Sequence, residues 1–131
     1  MNTVLPDSNV IIDLFNGRRT AAPRLAEADR ILLSPTVLGE VCAGFSDSEK
    51  DRSRKAVIDD FLALPYVEVP HVTETTSEYY AGLHRYLKGA GRKIPDNDLW
   101  IASQALENAA LLLTRDTHFL DIPNLRICMQ Q

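Results

Sequence analysis

Thr3-Val4-Leu5-Pro6-Asp7-Ser8-Asn9-Val10-Ile11-Ile12-Asp13 carries the architecture of this chain in miniature. Its first four residues are a short, mostly apolar run closed by a proline, the pattern of a fully buried strand. Helical spacing begins directly afterwards, from Ser8 to Phe15, and Asn16-Gly17 closes it. The same alternation repeats outward. Arg30-Ile31-Leu32-Leu33 predicts a second strand, Tyr66-Val67-Glu68-Val69 a third, Ala110 to Leu113 a fourth and Leu125 to Met129 a fifth. Between them, amphipathic spacing predicts helices over 21–28, 36–45, 47–64, 73–88 and 97–108. In the helix over 73–88, Tyr79, Tyr80, Leu83, Tyr86 and Leu87 are expected to share one face. Strands alternating with helices imply right-handed βαβ crossovers. The expected fold is a three-layer α/β/α domain over residues 1–131, with a five-stranded parallel sheet at its centre.

Composition narrows the class. With 131 residues, 45% of them hydrophobic and 24% charged, the chain can bury a real core and is not disordered. No apolar run approaches the ~18–20 residues that cross a bilayer. Met1 to Leu5 lacks the basic-then-apolar order of a signal peptide, so a cytoplasmic protein without a membrane anchor is expected. Cys42 and Cys128 make neither a disulfide framework nor zinc-ligand spacing, and are expected as buried free thiols. The net charge of −4 counts against a protein that coats nucleic acid with positive charge. It leaves open an enzyme that cuts one.

In parallel sheets of this kind, ligands bind beyond the carboxyl ends of the strands. Four acids fall there. Asp7 follows the first strand, and Asp116 follows the fourth by a short turn. Glu40 lies one turn into the helix after the second strand, and Asp98 in the first turn of the helix that leads to the fourth. Each has a bland reading as well: helix cap for Asp7 and Asp98, turn residue for Asp116, solvated helix position for Glu40. Helical angle argues past two of these. Asp98 shares the face of Ile101, Ala102 and Ala105, where an unpaired carboxylate is costly. Glu40 falls off the apolar stripe of Val37, Leu38, Val41, Cys42 and Phe45, free to point into a groove. Acids that converge repel: two unit charges at ~4 Å cost about 4 kcal/mol at an effective dielectric of 20. Protonation or a bound cation must relieve this. An oxygen-only donor set favours Mg²⁺ or Mn²⁺, and one or two such ions suit phosphodiester cleavage.

These residues resemble the PIN-domain ribonucleases of the VapC toxin type. The resemblance rests on Asp7-Ser8-Asn9 with Val10-Ile11-Ile12-Asp13, on Ser34 to Gly44 with Gly39-Glu40-Val41, on Asp98-Leu99-Trp100-Ile101-Ala102, and on Leu112-Leu113-Thr114-Arg115-Asp116. It spans roughly residues 3 to 128. It implies that Asp7, Glu40, Asp98 and Asp116 are the catalytic acids that bind Mg²⁺ or Mn²⁺, with Ser8, Asn9 and Thr114 as supporting polar groups. Asp96 is a neighbour of this set, but Asp98 carries the family's spacing. Val37 departs from the pattern, standing where many relatives have a threonine. The resemblance further implies a metal-dependent endoribonuclease, the toxin of a VapBC-type pair, that forms a homodimer and is inhibited by an antitoxin laid over the active-site groove. The alternative is a catalytically inert PIN-like module that binds RNA or protein.

RNA approaching an acidic pocket needs a positive rim. Arg115, Arg85, Arg92 and Lys93 are the main candidates, with Lys88, Arg18 and Arg19 nearby. Tyr79, Tyr80 and Tyr86 are expected in core or dimer packing rather than stacked on bases. Trp100 faces away from the alanine stripe of its helix. His71, His84 and His118 show no metal-ligand spacing among themselves and are expected outside the site. Setting the four site acids aside leaves as many acidic as basic residues, so the net acidity is numerically that of the pocket.

Overall fold

The computed structural model describes residues 1–131. Five strands, β1 (Thr3–Pro6), β2 (Arg30–Leu32), β3 (Val67–Glu68), β4 (Leu111–Thr114) and β5 (Ile127–Met129), form one parallel sheet in the order β3-β2-β1-β4-β5. Six helices accompany it: α1 (Ser8–Phe15), α2 (Ala22–Glu27), α3 (Pro35–Ala43), α4 (Glu49–Leu62), α5 (Glu74–Gly89) and α6 (Asp96–Glu107). The chain leaves β1 toward β2 and β3, then returns to lay β4 on the opposite edge of β1. The order therefore reverses between β1 and β4, and such a switch point leaves a crevice at the carboxyl ends of the strands. Asp7 and Asp116 stand at that crevice.

Strand side chains alternate between two apolar layers. Leu5, Leu32 and Leu112 face the layer built by α3, α5 and α6; Val4, Ile31, Leu33 and Leu113 face the layer that includes Val10 of α1. All four residues of β1 are buried, as its central place in the sheet demands. The register pairs Pro6 with Leu113, and the Asp7 N–H donates to the Leu113 carbonyl at 2.8 Å. That bond fixes where the first acid leaves the sheet.

Local signals explain the helix ends. Asp7 caps α1, its Oδ1 accepting from the Ser8 N–H at 2.8 Å. Gly17, at φ +84°, takes the left-handed turn that ends α1. Ser34 caps α3 and Pro35 fills its first position, so α3 starts one residue before the apolar spacing suggests. Ser48 caps α4, which removes Asp47 from that helix. At the edge of the sheet, β3 shrinks to two residues, with Glu68 bonded to Arg30.

Two expectations need correcting, and one short element was not foreseen. A 3-10 turn at Thr117–Asp121 was not legible, because five residues are too few for an apolar period; the fully buried Phe119 holds it to the core. The buried face of α5 is Thr76, Leu83 and Leu87, whereas Tyr79 and Tyr86 stand outward, Tyr86 at 51% exposure. Cys42 and Cys128 are free but only half-buried.

Candidate active site

The carboxyl ends of β1 and β4, with α3 and α6 alongside, bring the four predicted acids together. Asp7 is the most deeply set, at 1% exposure. Three donors hold it: Ser8 N–H on Oδ1, and the Asn9 Nδ2 amide at 3.1 Å and Thr114 hydroxyl at 2.7 Å on Oδ2. Burial raises its pKa most, the charges of Asp98 and Asp116 push the same way, and the Thr114 and Ser8 bonds oppose them. The net shift is upward from 3.8. Thr114 also accepts from the Asp116 N–H at 3.0 Å, so one buried hydroxyl couples β4 to two acids. Asn9 accepts from the Arg115 N–H at 3.2 Å, tying the turn after β4 back to α1.

Asp98 projects from the first turn of α6, the positive end of that helix, among Leu99, Ile101 and Ala102. Burial raises its pKa, and Asp116 adds to the rise; His118 opposes it. Glu40 is raised mainly by burial, then by the charges of Asp7 and Asp98, while Ser8 and Asn97 pull the other way. Its Oε1 atom is buried with no hydrogen-bond partner. Three of the four acids are therefore easier to protonate than isolated ones, and one has an oxygen with no donor of its own. An orphaned carboxylate oxygen beside other acids fits a hard cation that prefers oxygen donors. The residues present thus suit a divalent metal.

His118 is the member that sequence reasoning missed. Its Nε2 lies 2.6 Å from Asp98 Oδ2 and 3.9 Å from Asp116 Oδ2. Its signal in the sequence is the two-residue spacing from Asp116, in a turn anchored by Phe119; spacing among the histidines themselves carries none.

The basic residues divide. Arg115 is exposed but paired: its Nε meets Asp13 at 2.7 Å, so it also braces α1 against β4. Arg92 pairs with Asp121 at 3.0 Å. Lys88, Arg92 and Lys93 line an open groove of about 490 Å³ that also touches Asp96, two residues before Asp98, and Leu99, the residue after it. Asp96 is not part of the acid cluster; it accepts from the Tyr80 hydroxyl at 2.9 Å, and Tyr80 stacks on Trp100 with ring centroids 4.3 Å apart. Arg85 is exposed on α5.

A doubly wound parallel sheet with this acid pocket at its switch point is the framework of a PIN domain, and residues 4–125 match the PIN domain family model. Ribonuclease VapC2 of Rickettsia felis is 36% identical over 77% of this chain and 75% of its own. Ribonuclease VapC1 of Haemophilus influenzae strain R2866 is 32% identical over 84% of each. The chain belongs to the PIN-domain family, in its VapC ribonuclease group. The fold also matches solved complexes. The structure of VapBC2 from Rickettsia felis bound to a promoter DNA fragment superimposes with a TM-score of 0.82 at 28% identity, covering 98% of this chain and 99% of that one. VapBC-1 from nontypeable Haemophilus influenzae gives 0.82 at 29% identity, covering 97% of each.

Proposed function

We propose that the chain is an endoribonuclease, the toxin of a VapBC-type toxin–antitoxin pair, and that Asp7, Glu40, Asp98 and Asp116 form its active site. The observation that carries the reading is the meeting of these acids at the β1/β4 switch point, three of them with raised pKa values and Glu40 with an orphaned oxygen. Mg²⁺ or Mn²⁺, as one or two ions, is the cofactor these acids would hold. When bound, such an ion offsets the acids' mutual repulsion and supplies Lewis acidity toward water and phosphate.

The chain's own groups do the rest. Thr114 and Asn9 fix the rotamer of Asp7 by occupying Oδ2 with donors. Thr114 also sets the turn that presents Asp116. Arg115 holds α1 against β4, which keeps the supporting groups Ser8 and Asn9 in register with Thr114. Lys88 and Lys93 in the groove, with Arg85 on the outer face of α5, attract the phosphate backbone without specifying bases. Arg92 contributes less, because Asp121 already neutralises it.

The partner is a cognate antitoxin. An apolar cavity of about 210 Å³, lined by Pro6, Ile11, Phe15, Leu38, Val57 and Phe61 among others, opens beside the residue preceding Asp7. Apolar side chains seated there would bring a partner segment next to the acids. The protein acts as a cytoplasmic homodimer, for which the outward Tyr79 and Tyr86 on α5 offer contact area. No helix is long and apolar enough to cross a membrane.

Cleavage of structured RNA with Mg²⁺ or Mn²⁺, set beside EDTA and Asp7→Asn, tests the reading. Expected is activity abolished by either; undiminished cleavage by Asp7→Asn overturns the site. Expression of the chain alone should arrest growth, and a co-expressed neighbouring antitoxin should relieve it.

A further inference from the structure

We infer that His118 is a nitrogen ligand of the metal centre, and that it turns an oxygen site into a mixed one that favours transition ions over Mg²⁺. The inference rests on the active-site reading above and extends it to a residue outside the four acids.

The geometry is specific. His118 Nε2, one oxygen of Asp98 and one of Asp116 all lie within 4.8 Å of one another. Donor atoms that share one ion at about 2.1 Å each stand roughly 3–4 Å apart, so the three atoms already span such a site. The imidazole is not there by loose chance of a surface rotamer. Thr117–Asp121 forms a 3-10 turn whose Phe119 is fully buried, and the His118 ring packs on Phe119 with centroids 5.1 Å apart. The Arg92–Asp121 pair closes the same turn. His118 keeps about a third of its surface open, enough for an ion to reach Nε2.

A histidine serving only to pin Asp98 would need one contact. Here the same nitrogen faces two acids, at 2.6 Å and 3.9 Å. A metal there would be held by the Nε2 lone pair of the neutral imidazole, the tautomer whose proton sits on the other ring nitrogen. Imidazole adds affinity for Mn²⁺ and more so for Co²⁺, and adds little for Mg²⁺, which prefers oxygen.

The test uses the full chain with equimolar metal. Electron spin echo spectra of the Mn²⁺-loaded protein should show ¹⁴N coupling from a bound imidazole, and His118→Gln should abolish it. Calorimetric titration should show Mn²⁺ and Co²⁺ affinity falling by about tenfold or more in His118→Gln, a loss typical of a disturbed metal site, with Mg²⁺ affinity nearly unchanged. Absence of ¹⁴N coupling in a wild-type protein whose Mn²⁺ binding is lost in Asp98→Asn overturns the role of His118 and leaves the acid site standing. Equal losses for Mg²⁺ and Co²⁺ in His118→Gln also overturn it, since they report a merely structural part. If wild-type protein binds no Mn²⁺ at all, the inference and the active-site reading fall together.

Discussion

The pocket has two halves that are built differently. Asp7 leaves the central strand and is clasped by three donors, one of them a buried hydroxyl 107 residues away in sequence. Asp98 and Asp116 stand across from it on a helix start and a tight turn, and the one side chain that reaches Asp98 is an imidazole. The first half is fixed by sheet hydrogen bonds and cannot relax without breaking them. The second half rests on side chains that can exchange partners. A rigid acid facing adjustable ones suits a centre that must keep its position while its charge is balanced by something that binds and leaves. It also separates the consequences of mutation. Damage to the first half should remove function outright, and damage to the second should change which ion or pH is tolerated.

The largest effect is expected at Asp7. Asn keeps the shape and the helix cap but removes the central charge. Several kcal/mol of transition-state stabilisation should go with it, so kcat should fall about 1,000-fold or more. Single-turnover cleavage measures this; a loss under tenfold would break the contrast between the halves. Thr114→Val comes next. It deletes the donor to Asp7 and the acceptor for the Asp116 N–H in a fully buried place. Unfolding in urea should show about 1–3 kcal/mol lost, and kcat should drop roughly 10- to 100-fold, as for other groups that orient a metal site.

The pH dependence sharpens the comparison further. Asp7, Glu40 and Asp98 are all raised from ordinary values of 3.8 to 4.5. A carboxyl raised by folding lends stability that is complete below its unfolded pKa and is lost as pH climbs through its folded one. Metal-free protein should therefore lose this contribution as pH rises above those ordinary values. Asp98→Asn removes one such titration, so its Tm relative to wild type should improve by a few degrees over that range. A difference independent of pH contradicts the burial-driven shift. Protons and cations compete for the same oxygens, so Mn²⁺ affinity should weaken on acidification.

The smallest effects belong to the rim. Lys93→Ala should weaken RNA binding modestly, reduce the slope of log affinity against log salt by about one, and leave kcat alone. Arg115→Ala should not change that slope, because its guanidinium is committed to Asp13. A changed slope there would return Arg115 to the RNA-facing set.

Much of this was legible in the chain because its signals are local. Apolar tetrads such as Thr3–Pro6 and Leu111–Thr114 mark buried strands, and acids directly after them fall at strand ends whatever the details of packing. What stayed hidden lay where two elements had to meet. Tyr79 and Tyr86 lie close enough in helical angle to Leu83 and Leu87 to seem part of one stripe, but α6 covers only the narrower face. Arg115 sits beside a site acid, and only the position of α1 shows that Asp13 claims it.

The sequence by itself determined the parallel α/β order and the four acids, since strand and helix periods and the residue after each strand are properties of neighbouring positions. Tertiary structure alone decided that Glu40 carries an oxygen without a donor, that Thr114 serves Asp7 and Asp116 together, and that His118 meets Asp98. Those facts depend on the pairing of β1 with β4 and on a turn held by Phe119. Sheet register and core packing bring distant residues to within a bond length or two, and no local period encodes that distance.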